Sequence, residues 1–208
     1  MTVAVAHTIY TVGHSTHSFE EFLSLLKPHG VTAVADVRSV PHSRFNPQFS
    51  RPALEKELPA AGVAYVFLGK QLGARSDDPS CYEQGRVQYR RLARTPMFRE
   101  GIERIKKGAE SYRVALLCAE KEPLDCHRTI LVSRELESDR VRVAHILADG
   151  NLESHHDAML RLLRILGMPP GDLFKSESQL LEEAYAKQEQ RIAYVADEAA
   201  RASEGQPQ

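Results

Sequence analysis

Short apolar runs rich in β-branched residues alternate along the chain with amphipathic segments of helix length. The first run, Thr8–Val12, stops at Gly13. Ser18 then offers an N-cap, Glu20 and Glu21 suit a first turn, and Phe22, Leu25 and Leu26 share one helical face. Gly30 suits the C-cap. A second strand is expected over Val31–Val37. After a loop carrying Pro41, Phe45, Pro47 and Phe49, Ser50 and Pro52 open a short helix that Gly62 ends.

Val63–Leu68 reads as the third strand, and residues 69–80 as an irregular loop. Two helices are expected over Tyr82–Ala93 and Pro96–Gly108, separated at Thr95-Pro96. Val114–Cys118 is a fourth strand. A helix follows from near Cys126 to Glu137, then a fifth strand over Val141–Ile146 and a helix over Glu153–Leu166. The breaker GMPPGD at residues 167–172 precedes a tail with a four-three spacing at Leu181, Tyr185, Gln188, Ile192, Val195 and Ala199. That spacing fits an amphipathic helix packed on its own domain, or a homo-oligomer contact.

Strands alternating with helices define the α/β class. The expected architecture is a mostly parallel sheet of about five strands, covered by helices on both faces, with an extra C-terminal helix. The expected division is an α/β domain over residues 1–166, a helical extension over 173–200 and a disordered tail over 201–208.

Composition narrows the picture. The formal net charge of −1 gives the whole molecule no pull towards nucleic acid or anionic membrane, which leaves only local basic patches. The opening MTVAVAHTIYTVGHS is too short and polar for a signal peptide or membrane span. Three sparse cysteines imply no disulfide framework, and a reducing cytoplasm is the expected location.

The polar residues cluster by position. Each strand leads at its carboxyl end into polar groups: Gly13-His14-Ser15, Asp36 and Arg38 with Arg44 after them, Gly69 to Arg75, Cys118 to Glu122, and His145. In an open parallel sheet those ends meet where ligands bind. Taken singly, these groups also have structural readings. His14 and Ser15 can end a strand, Asp36 and Arg38 can form an ion pair, Cys118 can be a small hydrophobe, and His145 a satisfied core histidine. Cys126-His127-Arg128 points more directly to function: a thiol at a helix start beside arginine favours thiolate, and the same donors suit an anion.

Several motifs are missing. Cys118 lacks the arginine six residues on that a tyrosine-phosphatase loop needs, since Leu124 stands there. There is no phosphate-binding glycine loop. Cys118 and Cys126 lie eight apart without a second pair, so no structural zinc motif is read and no metal or cofactor is assigned. A metal on Cys126, His14 and His145 is sterically imaginable and has nothing else behind it.

The segments TVGHS, DVRSVPHSRFNPQF, FLGKQLGAR, LLCAEKEPLDCHR and VAHI together resemble the domain of unknown function 488 family, over about residues 8–150. The resemblance implies a compact α/β fold and supplies no activity. Its motifs fall here on Gly13, His14, Ser15, Asp36, Arg38, Cys118, Glu120, Cys126, His127 and Arg128.

The leading expectation is an enzyme, a hydrolase or transferase, acting on a small anionic or nucleotide-like substrate. Glu120, His14 and Cys126 are the catalytic candidates. Ser15, Asp36, Arg38, Arg44, His127 and Arg128 are the substrate-binding candidates. A second reading is a nucleic-acid-binding module that uses Arg38, Arg44 and Arg51 with Phe45 and Phe49, and the arginines of residues 86–94. A third is a thiol redox or sensor protein that uses Cys118 and Cys126.

Overall fold

A computed structural model describes residues 7–138, 140–168 and 175–196. From the amino end, the chain runs through β1 (His7–Gly13), α1 (Phe19–Leu26), β2 (Ala33–Asp36), α2 (Arg51–Ala60), β3 (Ala64–Phe67) and the short α3 (Gly69–Leu72). A ribbon of β4 (Tyr82–Glu83) and β5 (Arg86–Val87) follows, then α4 (Tyr89–Leu92), α5 (Pro96–Ala109) and β6 (Val114–Cys118). A π-helical turn over Arg128–Ser133 runs into α6 (Arg134–Leu136). The described chain ends with β7 (Val141–Ile146), β8 (Leu152–Ser154), α7 (His155–Ile165) and α8 (Glu177–Ile192).

The main sheet has six strands in the order β3-β2-β6-β1-β7-β8, all parallel except β8, which runs antiparallel to β7. Alternate residues feed two cores. Tyr10, Val12, Ala115 and Leu117 pack with Phe22, Leu26, Leu54 and Leu58 of α1 and α2 on one face. Ile9, Val114, Leu116 and Cys118 pack with α5, α7 and α8 on the other. Period-two alternation inside nearly continuous apolar strands is what a sheet covered on both faces requires.

This arrangement singles out β6. The connections leaving β1 and β2 run through helices on the first face, whereas the chain enters and leaves β6 on the second. Both sheet neighbours of β6 therefore send their chain the other way. A crevice opens at the carboxyl end of β6, as expected where the winding reverses.

The local signals of the sequence are largely realised. Ser18 and Glu21 form a reciprocal capping box, with Glu21 N–H on Ser18 Oγ at 3.2 Å and Ser18 N–H on Glu21 Oε2 at 2.7 Å. Thr95 Oγ1 caps α5 by accepting from Phe98 N–H at 3.2 Å.

Four segments differ from the expected pattern. Gly69–Leu72, expected as part of an irregular loop, forms the short α3, its last turn closed by Gly73 N–H on the Gly69 carbonyl at 3.0 Å. The helix expected over Tyr82–Ala93 is replaced in its first half by the β4–β5 ribbon, and only Tyr89–Leu92 is helical. The cause is the turn Gln84-Gly85, with φ of 47° and 82°, the paired positive angles that join hairpin strands. Leu152–Ser154 adds a sixth strand where helix was expected, and Ser154 instead caps α7 through Asp157 N–H at 3.0 Å. The helix near Cys126 starts at Arg128. Cys126 itself is extended (φ −134°, ψ 140°), although its carbonyl accepts from Thr129 and Ile130.

The four-three spacing of the tail is used within this chain. Tyr185 and Gln188 are buried, and Gln188 Nε2 donates to the Leu124 carbonyl at 2.8 Å. Val195 lies past the helix and bridges to Arg86. Ala199, the expected disordered tail and most of the GMPPGD breaker lie outside the described residues. Among the described residues no helix is long and apolar enough to cross a membrane.

Candidate functional site

β1 and β6 stay in register to their ends, pairing Gly13 with Cys118. Beyond the sheet the two chains remain side by side, with His14 N–H on the Cys118 carbonyl at 2.9 Å and Ser15 N–H on the Ala119 carbonyl at 3.0 Å. The approach is so close that a Cβ on Gly13 would stand 1.9 Å from the Glu120 carbonyl oxygen. Only glycine fits there.

Past β6 the chain turns through Ala119 to Asp125 and folds back. This return brings Cys126 and His127 over the end of Cys118. His127 Nδ1 lies 3.7 Å from Cys118 Sγ and 3.9 Å from Cys126 Sγ, and the three atoms lie within 4.8 Å of one another. His127 Nε2 donates to the Val37 carbonyl at 3.0 Å, so in the neutral ring the Nδ1 lone pair faces the sulfurs. Cys126 Sγ also receives Arg128 N–H at 3.4 Å and lies 2.9 Å from Glu120 Oε2.

The charges are shared unequally. Burial raises the pKa of Cys118 well above normal, and the facing Cys126 sulfur adds to the effect. For Cys126 burial acts in the same direction, but the hydrogen bond from Cys118 and the Arg128 charge outweigh it and lower the pKa well below normal. Burial would lower the pKa of His127, and the bond to Cys126 raises it. Glu120 is exposed as a residue, yet its carboxyl turns in towards Cys126. Burial of that carboxyl and the Cys126 charge raise its pKa.

A second polar cluster lies across Val37. Asp36 and Arg38 are both buried and meet through Nε–Oδ1 at 2.9 Å and Nη2–Oδ2 at 2.6 Å. Arg38 Nη2 also donates to the Phe49 carbonyl at 2.8 Å, and Nη1 lies 3.1 Å from His14 Nε2. Tyr65 OH donates to Asp36 Oδ2 at 2.9 Å. His14 stacks on Phe49 at 4.4 Å, and burial lowers its pKa to about 4, so it stays neutral between Arg38 and the Ser15 carbonyl.

A cavity of about 280 Å³ opens above the end of β6. Cys118, Glu120, Asp125 and His127 line it together with Arg38, Arg75 and Tyr89. Tyr89 is 3% exposed, and its hydroxyl has no hydrogen-bond partner among the described residues. The Arg75 guanidinium stacks on Tyr194 at 4.2 Å. Behind Arg38 a second cavity, of about 380 Å³, is lined by His14, Ser15 and the loop to Asn46.

The structure thus gathers Glu120, His127 and Arg38 at the cavity above β6 and places His14 and Ser15 at the adjoining one. Cys126 is buried behind the cavity wall. Arg128 is wholly buried, with Nη1 on the Glu120 carbonyl at 2.7 Å and Nη2 on the Lys121 carbonyl at 3.3 Å. It shapes the β6 loop from below. Asp36 is spent on Arg38 and Tyr65, and Arg44 is an exposed loop residue that lines neither cavity.

Sequence reasoning left Arg75, Tyr89 and Asp125 out of the site. Of these, only Arg75 carried a signal, as a cation past the third strand. His14 and His145 do not join Cys126. His145 bonds instead to Thr11 and His155, by 2.8 Å and 3.1 Å.

No curated protein and no solved structure matches the chain. One family model does, over residues 18–134, described as a domain of unknown function, DUF488. The match spans more than half of the chain and takes in β2, β6 and the Cys126-His127-Arg128 segment, leaving TVGHS and VAHI outside it. The chain belongs to the DUF488 family.

Proposed function

We propose that this protein is an enzyme, a hydrolase or transferase, that binds a small anionic or nucleotide-like substrate in the cavity at the end of β6. The observation that carries the reading is a convergence of unlike polar groups on one small space. Arg75, Glu120 and Tyr89 come from three separate segments to line the same cavity of about 280 Å³.

Arg75 is the anion-holding group, since it stacks on a ring instead of joining a carboxylate among the described residues. Arg38 adds little charge of its own because Asp36 offsets it. Glu120 is the general acid or base; the other wall carboxyl, Asp125, accepts from Gln188 Nε2 at 3.1 Å. His14 acts as a positioning residue for Arg38. The three free cysteines fit a reducing compartment such as the cytoplasm.

The arginines of residues 86–94 give the nucleic-acid reading less support. Arg90 pairs with Glu182, Arg91 with Glu83 at 3.3 Å, and Arg86 donates to the Gln190 carbonyl at 2.8 Å.

Thermal-shift measurements on wild type, Arg75→Ala and Tyr89→Phe test the proposal, using phosphate, sulfate, nucleoside monophosphates and short oligonucleotides. Stabilisation of wild type by one of the small anions, weakened at least several-fold in Arg75→Ala, is expected. If no small anion stabilises wild type, or Arg75→Ala responds as wild type does, the reading fails. Stabilisation by oligonucleotides alone, falling steeply with salt, would put the nucleic-acid reading in its place.

A further inference from the structure

Cys118 ends β6, while Cys126 and His127 follow a turn that brings the chain back over it. The turn at residues 119–125 adds His127 to the Cys118 and Cys126 pair, so that three ligand-type atoms meet. Neither sulfur is in a disulfide, and all three residues are buried.

We propose that Cys118 Sγ, Cys126 Sγ and His127 Nδ1 form a binding site for one thiolate-accepting divalent cation, with zinc as the ion that best suits two sulfurs and an imidazole. Zinc bonds of about 2.3 Å to sulfur and about 2.0–2.1 Å to nitrogen, at tetrahedral angles, set sulfur and nitrogen about 3.6 Å apart. The two observed separations are 3.7 Å and 3.9 Å, and the third side of the triangle is within 4.8 Å. Two sides of the triangle thus match one face of a zinc tetrahedron, and the sulfur–sulfur side, about 3.8 Å in that geometry, needs at most about 1 Å of closure.

The surroundings are those of a supported metal ligand set. The Nε2–H of His127 is committed to the Val37 carbonyl at 3.0 Å, which fixes the ring and leaves Nδ1 as the donor atom. The backbone N–H of Arg128, 3.4 Å from Cys126 Sγ, supports negative charge on that sulfur. Both cysteines bind as thiolates: the Cys118 S–H bond is replaced by a sulfur–metal bond with its proton leaving to solvent, and Cys126 binds through a sulfur that already carries negative charge. No electron is transferred.

Three protein ligands leave one position of a tetrahedron open. Cys118 and His127 border the cavity described above and Cys126 lies behind it, so the open position faces the cavity beside Glu120. That is the pattern of a reactive site, whereas a structural site is closed by four protein ligands. The metal site goes beyond the substrate reading and stands or falls separately, because Arg75 is not among its three ligands.

The test is metal analysis of full-length protein after reconstitution with zinc and removal of the excess. Wild type and a Cys81→Ser control are expected to retain about one zinc per chain, and Cys118→Ser, Cys126→Ser and His127→Ala less than a tenth of that. Cobalt in place of zinc should give a thiolate-to-metal charge-transfer band that each cysteine variant weakens or abolishes.

Should a variant fail to fold, wild type alone decides the matter. Zinc added to chelator-stripped protein should raise its Tm and protect Cys118 and Cys126 from alkylation, as mapped by peptide mass spectrometry. Wild type that takes up no zinc and gains neither protection nor Tm overturns the proposal. So does zinc retained equally by all three ligand variants. Loss of the anion response in Arg75→Ala with zinc content unchanged would separate the two readings.

Discussion

The Arg128 guanidinium lies wholly out of solvent beneath the loop it supports, with its Nη1 donating to the Glu120 backbone carbonyl at 2.7 Å. A second bond reaches the Lys121 carbonyl at 3.3 Å. Arg128→Leu keeps much of the bulk and removes two hydrogen bonds from a charged donor, at roughly 1.5–3 kcal/mol each. The loss should appear as a lower urea midpoint, with anion-induced stabilisation also reduced because Glu120 is no longer held. A variant as stable as wild type would show that the loop does not depend on this cation.

Asp36 and Arg38 are both buried and share two bonds, and Asp36 also accepts from Tyr65 OH and Arg38 N–H. Removing one partner of a buried pair leaves a charge without compensation and costs about 3–5 kcal/mol. Asp36→Asn should therefore destabilise strongly in chemical denaturation. Tyr65→Phe, which removes one neutral donor, should cost roughly 1 kcal/mol. Equal effects of the two variants would contradict a charge-dominated cluster.

The framework was legible in the sequence where local chemistry dictates it. The apolar runs of β1, β6 and β7, the caps at Ser18 and Thr95, and the gathering of polar groups at strand ends all follow from residue type and period. What distance along the chain conceals was not legible. Arg38, Arg44 and Arg128 look alike as anion binders, yet burial beside Asp36, exposure on a loop and burial under Glu120 give them different tasks. The nearness of Cys118 and Cys126 is foreseen under the redox reading, but that His127 Nδ1 joins both sulfurs depends on the path of the turn between them. Tyr89 lines the cavity after the Gln84-Gly85 turn, where a continuous helix was expected.

Gly13 and Gly108 should respond oppositely to alanine. A Cβ at Gly13 would meet the Glu120 carbonyl oxygen at 1.9 Å, and backbone must move to admit it. Overpacking of this kind costs roughly 1–3 kcal/mol, and here it also displaces Glu120. At Gly108, in α5, the nearest atom to a new Cβ is Val114 Cγ2 at 3.9 Å, and alanine should stabilise by about 0.5–1 kcal/mol. Thermal melts of the two variants check the contrast; a Gly13→Ala protein that melts with wild type would show that the β1 and β6 ends are free to separate.

Acid should loosen the contact between α8 and the sheet through His155. This ring is buried, with its Nδ1 3.1 Å from His145 Nε2 on β7 and its Nε2 2.7 Å from Tyr185 OH on α8. Neighbouring His156 and Arg134, the latter stacked 4.4 Å over the Tyr185 ring, add no negative charge to hold a proton. Burial is the main cause that lowers the pKa of His155 from 6.5 to about 4, and His156 adds to it. The unfolded chain therefore binds this proton more tightly than the folded one. His155 contributes stability that is fully present above pH 6.5 and is lost as pH falls through the folded value near 4. The shift corresponds to about 3 kcal/mol. Urea unfolding of wild type across that window should show stability falling with pH, and His155→Gln, which keeps a polar group without the titration, should flatten the slope. Parallel slopes for the two proteins would remove His155 as the cause.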